Sequence, residues 1–341
     1  MDWTVVLDIL TSGRDLTRHE ARDAMTEVME GRAEPAQVAA FVVALRMKGE
    51  SVEEMIGLVE ALRLAAVPVP LDDPGRLVDI VGTGGDRSNT FNISTTAALI
   101  AAGAGAVVAK HGNRAASSRC GSADVLEELG VVIDLNPVAM ATLVNEERFG
   151  FFFAPRYHPA MRHAGPVRKA LGIPTVFNVL GPLANPAGAR RYALGVADQA
   201  MAERMIRVLD TLGAESAFVV HGEDGLDEVT TTGPTYIFRL RDGEITHAEF
   251  TPEDFGVERS RAEDLLGGDV ADNARILRQV LEGRIGAPRD AAVINAAVGI
   301  VAGGVADGFG EGVEAAQEAI DSGAAADVLK RVVERSQELA S

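Results

Sequence analysis

Leu77-Val78-Asp79-Ile80-Val81-Gly82-Thr83-Gly84-Gly85-Asp86 is followed, after a short polar connection, by Phe91-Asn92-Ile93-Ser94-Thr95 and a run of small residues at 96–102. The first stretch is typical of a strand that ends in a glycine turn, and the second predicts a helix with a Ser/Thr cap. This arrangement aims backbone N–H groups at an anion, and glycine lets the backbone approach phosphate oxygens. It matches neither a P-loop nor a dinucleotide fingerprint. Taken alone, the stretch could also be a tight connection without a ligand.

The composition is that of a globular chain. Of its 341 residues 47 % are apolar, and the length suffices for two domains. A net charge of −18 disfavours nucleic acid or an anionic membrane as the partner, because phosphate groups require basic surface. The single cysteine, Cys120, excludes an internal disulfide and a cysteine-rich zinc site. No signal-peptide start and no apolar run of membrane-spanning length is present, so we expect a soluble, cytoplasmic protein.

The first 72 residues are predicted to form short helices. Capping boxes begin at Thr17 and Ser51, and Glu34-Pro35 begins a further helix. Three prolines then interrupt the pattern at 67–75, which is typical of a linker. We therefore predict a helical domain at 1–72 and a second domain at 73–341.

Strand-like and helix-like segments alternate in the second domain. Strands are predicted at 77–81, 106–110, 131–135, 149–153, 193–196 and 217–221, with helices at 122–129, 137–147 and beyond about 269. Two further strands, 236–240 and 245–250, are predicted to form an edge hairpin. The alternation indicates an α/β fold with a mostly parallel central sheet and helices on its faces.

A loop at 110–122 carries unusually many hydrogen-bond donors for an acidic protein. Its lysine and arginines supply charge, while its serines and bare amides supply directional donors. The loop contains Lys110, His111, Gly112, Asn113, Arg114, Ser117, Ser118, Arg119 and a helix-capping Ser122. We predict an anion-binding loop; a solvated basic loop is the alternative.

Four carboxylates follow the strand predicted at 217–221, namely Glu223, Asp224, Asp227 and Glu228. Adjacent carboxylates at a strand end suit Mg²⁺, which prefers oxygen ligands and keeps waters and substrate phosphates. No ligand set rich in His or Cys is present, which disfavours zinc. A merely solvated acidic loop is the alternative.

Two further segments bear on the site. In the segment 155–168, Arg168 could clamp a substrate carboxylate, although a structural salt bridge for Arg162 or Arg168 is the alternative. The turn-rich segment 177–186 is interpreted as a hinge or pocket wall.

Together these segments resemble the anthranilate phosphoribosyltransferase family. The matching pieces are 82–86, 92–95, 110–118, 158–161, 177–178 with 180–182, and 221–228, and they span almost the whole chain. The resemblance implies transfer of phosphoribose from 5-phosphoribosyl pyrophosphate (PRPP) to the amine of anthranilate, in tryptophan biosynthesis, with Mg²⁺. It also implies a nucleoside phosphorylase/phosphoribosyltransferase-like fold in which part of 160–185 joins the helical domain, an active site in the cleft between the domains, and a homodimer through the helical domain.

The resemblance assigns residues to three ligands. PRPP would be bound by Gly82, Gly85, Asp86, Thr90, Asn92, Ile93, Ser94, Thr95, Lys110, His111, Gly112, Asn113, Arg114, Ala115, Ala116, Ser117, Ser118 and Ser122. Anthranilate would be bound by Gly82, Asn113, His158 and Arg168, and Mg²⁺ by Ser94, Asp227 and Glu228. No dedicated acid/base pair is expected, with His111 and His158 as lesser candidates for a proton acceptor. Arg87, Ser88 and Cys120 depart from the residues common in the family.

Two alternatives share the fold. Pyrimidine nucleoside phosphorylases contain a stretch similar to Ser118-Arg119-Cys120-Gly121, but they generally carry a further domain and do not need Asp227 and Glu228. Base release from thymidine with phosphate would favour that alternative. The second alternative is a non-catalytic, nucleic-acid-binding relative, which the charge of −18 disfavours and a salt-sensitive gel shift would support.

Overall fold

The structure is a computed structural model that describes residues 1–115 and 119–341. Four helices come first: α1 (Trp3–Thr11), α2 (Arg18–Met29), α3 (Pro35–Lys48) and α4 (Val52–Leu64). Both predicted capping boxes form, because the Thr17 and Ser51 side chains accept the N–H of Glu20 and Glu54. Gly49, with φ of 86°, ends α3 in the left-handed region. Local sequence therefore determines the ends of these helices.

We expect Thr17→Ala to lower the free energy of unfolding by about 1 kcal/mol, because the Glu20 N–H loses its acceptor at the start of α2. Urea unfolding followed by circular dichroism measures this loss. Thr4→Ala is the control, since Thr4 is an exposed residue of α1 whose side chain caps no helix. Equal losses in the two variants would contradict the role of the cap.

One sheet organises the rest of the described chain. Its seven strands are β1 (Leu77–Gly82), β2 (Val107–Gly112), β3 (Phe149–Phe153), β4 (Arg191–Gly195), β5 (Ser216–Gly222), β6 (Thr235–Arg241) and β7 (Glu244–Phe250). The spatial order is β3-β2-β1-β4-β5-β6-β7, with β1 to β5 parallel and β6–β7 an antiparallel edge hairpin. The predicted mostly parallel sheet is confirmed. The chain leaves β1 in one direction for β2 and β3 and returns to its other side at β4, which makes a switch point where ligands commonly bind.

Helices cover the sheet. They are α5 (Ile93–Gly103), α6 (Ser122–Glu128), α7 (Pro137–Glu147), α8 (Ala154–Tyr157), α9 (Gly165–Leu171), α10 (Phe177–Leu180), α11 (Gln199–Thr211), α12 (Val270–Leu281), α13 (Ala287–Ala302), α14 (Phe309–Asp321) and α15 (Ala324–Ala340). The apolar helices α5 and α13 contact each other and β1, and α7 packs on β3. Their burial against the strands forms the core of this part of the chain.

The prediction of a strand at 131–135 is wrong. This segment joins no strand, although Val131, Ile133 and Leu135 are buried. Its main chain bonds to other partners, since Val131 N–H donates to Leu126 O (3.0 Å), Val132 N–H donates to Ser336 Oγ (3.0 Å) and Tyr157 Oη donates to Leu135 O (3.0 Å). The alternating pattern therefore reflects burial on one side of an extended connection and not membership of the sheet.

Two predicted caps are also wrong. Asn92 holds the N-cap position of α5, so Ser94 and Thr95 lie in its first turn. Gly121 holds the N-cap position of α6, and Ser122 is its first residue. Both helices begin one or two residues earlier than the hydroxyl side chains suggest.

The N-terminal helices contact a later part of the chain. α9 packs on α3, and a 3₁₀ turn at Pro159–His163 packs on α2. Arg63 of α4 donates to Leu183 O (2.8 Å) and to Tyr192 Oη (3.3 Å). These contacts bring α4 and the segment 155–184 to the carboxyl ends of β1 and β2.

Candidate active site

A cavity of about 740 Å³ opens at the carboxyl ends of β1 and β2, beside the first turn of α5. It is closed on other sides by Leu62 of α4 and by residues from α9 and α10. The sequence-predicted site residues that line it are Gly82, Gly85, Asp86, Thr90, Asn92, Ile93, Ser94, Thr95, Lys110, His111, Gly112, Asn113, Arg114, Ala115, Ser122, His158, Arg168, Asp227 and Glu228. The remaining three, Ala116, Ser117 and Ser118, lie outside the described residues. The predicted pocket wall lies here too, with Phe177 and Pro182.

The glycine turn requires glycine for two physical reasons. Gly84 and Gly85 have φ of 68° and 84°, in the left-handed region. Gly82 instead lies against the acidic loop, where a Cβ would overlap the Asp227 carboxylate. The Gly84 N–H donates to Asp227 Oδ2 at 2.6 Å. The turn is therefore fixed to the acidic loop, which brings the two predicted ligand segments into one site.

Lys110 is the buried cation of the site. Its side chain is 1 % exposed, and its Nζ donates to Ile80 O (2.5 Å) and Ser94 Oγ (3.2 Å). Burial lowers the pKa of Lys110, whereas the nearby charges of Asp79, Glu228 and Asp227 act in the opposite direction. A lysine held between strands in this way is a fixed positive charge at the floor of the cavity.

Asp227 and Glu228 are two carboxyl groups whose pKa values are raised by their surroundings. Burial, together with the charge of Asp86, raises the pKa of Asp227 to about 6. Burial and the charge of Asp227 raise the pKa of Glu228 well above its usual value, although Glu228 Oε1 accepts the Ser94 N–H at 3.1 Å. Interacting like charges, buried at Asp227 and half-buried at Glu228, fit a site for a cation with oxygen ligands.

The described side chains around Asp227 and Glu228 do not enclose a metal ion on all sides. Among residues 1–115 and 119–341, no group of three or more His, Cys, Asp or Glu side chains forms a metal cage. An open set with few protein ligands suits Mg²⁺, which retains waters and phosphate oxygens, better than a structural zinc.

The basic loop differs in part from its prediction. The Arg114 guanidinium donates to Asp124 Oδ1 (3.0 Å) and to Glu127 Oε1 (2.9 Å), so its charge is already compensated. Ser122 Oγ donates to Asn113 O at 3.2 Å. A phosphate role for the Arg114 side chain therefore requires an exchange of these two acidic partners.

His111 and His158 are neighbours at the cavity wall, with ring centroids 5.2 Å apart. Both are buried, and neither Nε2 has a hydrogen-bond partner among the described residues. Burial lowers the pKa of His111 to about 3 and that of His158 to about 4. Two neutral imidazoles thus border the cavity, and neither is protonated to an imidazolium at neutral pH.

We expect His158 to lower the free energy of unfolding as the pH drops from about 6.5 towards 4, whereas the raised pKa values of Asp79 and Asp227 act in the opposite direction, because these carboxyl groups bind protons in the folded chain. Over this window the unfolded chain binds a proton at His158 while the folded chain does not, which favours unfolding. Urea unfolding measured across the window should therefore show a smaller loss, or a larger gain, of unfolding free energy with falling pH for His158→Gln than for the unaltered chain. His19→Gln, at an exposed histidine, is the control; identical profiles for both variants would contradict the prediction.

Arg168 brings a positive charge to the cavity. Its guanidinium centre lies 5.4 Å from the centroid of the Phe177 ring, and burial lowers its pKa. No acidic side chain in the described ranges forms an ion pair with it, so the structural salt bridge considered from the sequence is not found. The guanidinium donors remain available for a carboxylate ligand.

Sequence reasoning missed Asp79, the polar residue inside the apolar run of β1. Asp79 is fully buried, accepts hydrogen bonds from His111 N–H (3.1 Å) and Asn185 Nδ2 (2.7 Å), and has its pKa raised to about 7 by burial. A carboxylate in a buried strand is itself the signal that could have identified it, because such a group is costly unless it is hydrogen-bonded.

Comparison with known proteins gives matches along nearly the whole chain. Residues 74–326 match the α/β domain of a glycosyl transferase family and residues 5–66 its helical bundle domain. An anthranilate phosphoribosyltransferase of Thermomicrobium roseum is 52 % identical over 338 residues, which are 98 % of this chain and 97 % of the relative.

Solved structures of anthranilate phosphoribosyltransferases are similar to this chain along nearly its whole length. Anthranilate phosphoribosyltransferase from Thermus thermophilus superposes with a TM-score of 0.92 at 42 % identity, covering 97 % of this chain and 99 % of that one. The Saccharomyces cerevisiae enzyme in complex with PRPP and Mg gives 0.90 at 30 % identity, covering 98 % of both chains. The same yeast enzyme in complex with 4-fluoroanthranilate gives 0.88 at 29 % identity, covering 99 % of both. The chain therefore belongs to the anthranilate phosphoribosyltransferase family of glycosyl transferases.

No helix among the described residues is long and apolar enough to cross a membrane.

Proposed function

We propose that this chain is a pentosyltransferase that transfers the 5-phosphoribosyl group of PRPP to the amine of anthranilate. The products are N-(5-phosphoribosyl)anthranilate and pyrophosphate, in tryptophan biosynthesis. One observation carries the proposal. A glycine turn, the buried Lys110, two carboxyl groups with raised pKa values (Asp227 and Glu228) and the half-buried Arg168 line one cavity. These groups match, in order, a phosphate, a diphosphate, a divalent cation and the carboxylate of the acceptor.

The donor side of the cavity is suited to PRPP. Gly85 and Asp86 lie in the glycine turn, and Asn92 to Thr95 form the start of α5, where backbone N–H groups favour an anion. Asn92 Oδ1 and Thr95 Oγ1 are buried without hydrogen-bond partners among the described residues, so Asn92 Oδ1 could accept from a ribose hydroxyl and the Thr95 hydroxyl could donate to phosphate. Lys110 would place its charge beside the leaving pyrophosphate.

Ser94, Asp227 and Glu228 would hold Mg²⁺. The fit rests on the two carboxylates, whose mutual repulsion a cation would relieve. When bound, the ion neutralises charge on the pyrophosphate as it departs. The residues themselves supply oxygen ligands and orientation: Asp227 is held by Gly84 N–H and Glu228 by Ser94 N–H.

The acceptor side needs positioning more than proton transfer. The anthranilate amine is already a neutral nucleophile, so no strong base is required, and alignment with C1 of the ribosyl group lowers the barrier. Arg168 would bind the anthranilate carboxylate, with Asn113, His158 and Gly82 nearby in the cavity. The neutral imidazoles of His111 and His158 could accept the amine proton after C–N bond formation.

One assay tests the function. The protein is mixed with Mg²⁺, PRPP and anthranilate, and the loss of anthranilate fluorescence is followed. Thymidine with phosphate serves as the control reaction, since base release there would indicate a nucleoside phosphorylase instead. No fluorescence loss with all three components present would overturn the proposal.

A homodimer through the helical domain is part of the proposal. Its support is α3, which carries apolar side chains on its outer face as well as its inner one: Ala36 and Ala40 are exposed and Met47 is 84 % exposed. Val5 of the contacting helix α1 is 53 % exposed. A helix that is apolar all round is normally buried. A monomeric mass in sedimentation equilibrium would contradict it.

The domain division also stays a proposal: a helical domain at 1–72, joined by part of 160–185, and an α/β domain at 73–341. The contacts of α9 with α3 and of the turn at Pro159–His163 with α2 support the joined segment. The cytoplasmic location stays a prediction.

A further inference from the structure

The central sheet opens where the cavity begins. β1 and β2 pair only at Leu77–Val107 and Val78–Val108, although both strands continue for four more residues. On its other side β1 pairs with β4 up to Gly82–Gly195, and β2 pairs with β3 up to Gly112–Phe153. The gap is therefore specific to the β1–β2 seam.

The direction of the main-chain groups shows what the gap leaves unpaired. Val108 N–H donates to Arg148 O on the β3 side. Because successive residues of a strand face opposite neighbours, Ala109 C=O and His111 N–H face β1. In a continuous parallel ladder, both would bond to one residue of β1.

Side chains take the place of this ladder. Asp79 Oδ1 accepts His111 N–H at 3.1 Å, while Asn185 Nδ2 donates to Ala109 O at 2.7 Å and to Asp79 Oδ2 at 2.7 Å. Asn185 Oδ1 in turn accepts Ala187 N–H at 2.8 Å. Asp79 and Asn185 are 0 % and 3 % exposed, and every one of these bonds is buried.

The gap between β1 and β2 lets the Lys110 side chain reach a main-chain carbonyl of β1. Lys110, the residue between Ala109 and His111, passes its side chain into the seam and donates to Ile80 O, the β1 carbonyl left by the gap. Its Nζ thereby reaches Ser94 Oγ at the start of α5. A closed ladder would take Ile80 O for His111 N–H and remove this anchor.

We propose that Asp79, together with Asn185, is a positioning residue for PRPP. The pair holds β2 at Ala109 and His111 on either side of Lys110, and so fixes the cation at the floor of the cavity. Neither residue lines the cavity, so the effect reaches the substrate through Lys110 and His111. This inference rests on the proposed function.

The test is Asp79→Asn. Asparagine keeps the shape and one acceptor but places its amide NH₂ opposite another donor, either the NH₂ of Asn185 or the His111 N–H, which breaks one of the two bonds. We expect kcat/KM for PRPP to fall about 10²-fold, the loss typical of a misplaced site group. The Kd of PRPP, measured by calorimetry without anthranilate, should rise, while KM for anthranilate stays unchanged.

Glu54→Gln is the matched control. Glu54 is another fully buried carboxylate that accepts a distant main-chain N–H, that of Leu16 at 2.9 Å, but it does not line the cavity. We expect this variant to lower the melting temperature and to leave kcat/KM for PRPP unchanged. A similar loss of melting temperature in both variants, with wild-type kcat/KM for PRPP in Asp79→Asn, would make Asp79 merely structural and overturn the inference.

Asn185→Ala is the second variant and decides the question if Asp79→Asn does not fold. It leaves Asp79 Oδ2 and Ala109 O without their donor, so we expect the same selective loss for PRPP. Equal increases of KM for both substrates would also overturn the inference. Failure of the function itself is distinguishable, because the unaltered chain would then consume no anthranilate.

Discussion

Asp227→Asn combined with Glu228→Gln is expected to lower Mg²⁺-dependent turnover by about 10³-fold or more. Neutral amides are poor ligands for a divalent cation, so the pyrophosphate would leave without the charge compensation of the cation, although Lys110 remains. Such compensation contributes several kcal/mol to the transition state, and about 4 kcal/mol corresponds to 10³-fold in rate. The measurement is the rate of anthranilate consumption at saturating PRPP over a range of Mg²⁺ concentrations.

The same variant separates loss of metal from loss of fold. It removes two interacting like charges, one buried and one half-buried, so we expect its melting temperature without Mg²⁺ to be no lower than that of the unaltered chain. Glu223→Gln is the matched control, since Glu223 is an exposed carboxylate of the same loop outside the cavity. Full activity in the double variant would remove the metal assignment.

Arg168→Ala is expected to weaken anthranilate binding by about 1.5–3 kcal/mol, the contribution of a hydrogen bond to a charged group. This corresponds to a rise of roughly 10- to 100-fold in KM for anthranilate. KM for PRPP should not change, because Arg168 lies on α9 beside Phe177 and is assigned to the acceptor and not to PRPP. Steady-state kinetics with each substrate varied in turn measure both constants.

Two neighbouring changes sharpen this test. Lys169→Ala removes an exposed cation one residue along the same helix, outside the cavity, and should leave both constants unchanged. Arg168→Lys keeps the charge but loses the planar fork, so it should recover only part of the affinity. An unchanged KM for anthranilate in Arg168→Ala would exclude the assigned role.

Much of the fold followed from local sequence. The capping boxes at Thr17 and Ser51 determine helix starts through contacts within four residues, and the Asp242-Gly243 turn of the edge hairpin uses left-handed φ values of 53° and 76°. The segment 131–135 shows the limit. Its alternation is genuine, but whether an alternating segment joins a sheet depends on the edge available to it, which local sequence does not specify.

Some residues of the candidate site could likewise be predicted from the sequence, and others could not. Glycines, a lysine and adjacent carboxylates at strand ends could be identified because their residue types suit phosphate and metal chemistry. The pairing of the Arg114 guanidinium with Asp124 and Glu127 could not, since those residues are 10 and 13 positions away in the chain. Asp79 was missed for a related reason: its partners His111 and Asn185 are 32 and 106 positions away.

Four buried polar atoms of the cavity wall have no protein partner within the described ranges: Asn92 Oδ1, Thr95 Oγ1, His111 Nε2 and His158 Nε2. An unsatisfied buried polar atom costs free energy, so each of the four gains from a hydrogen bond that the described protein residues do not supply. A ligand in the cavity gains affinity if it provides these hydrogen bonds. Inhibitors designed for this cleft therefore need acceptors and donors at those four points, and a purely hydrophobic filler of equal volume should bind poorly.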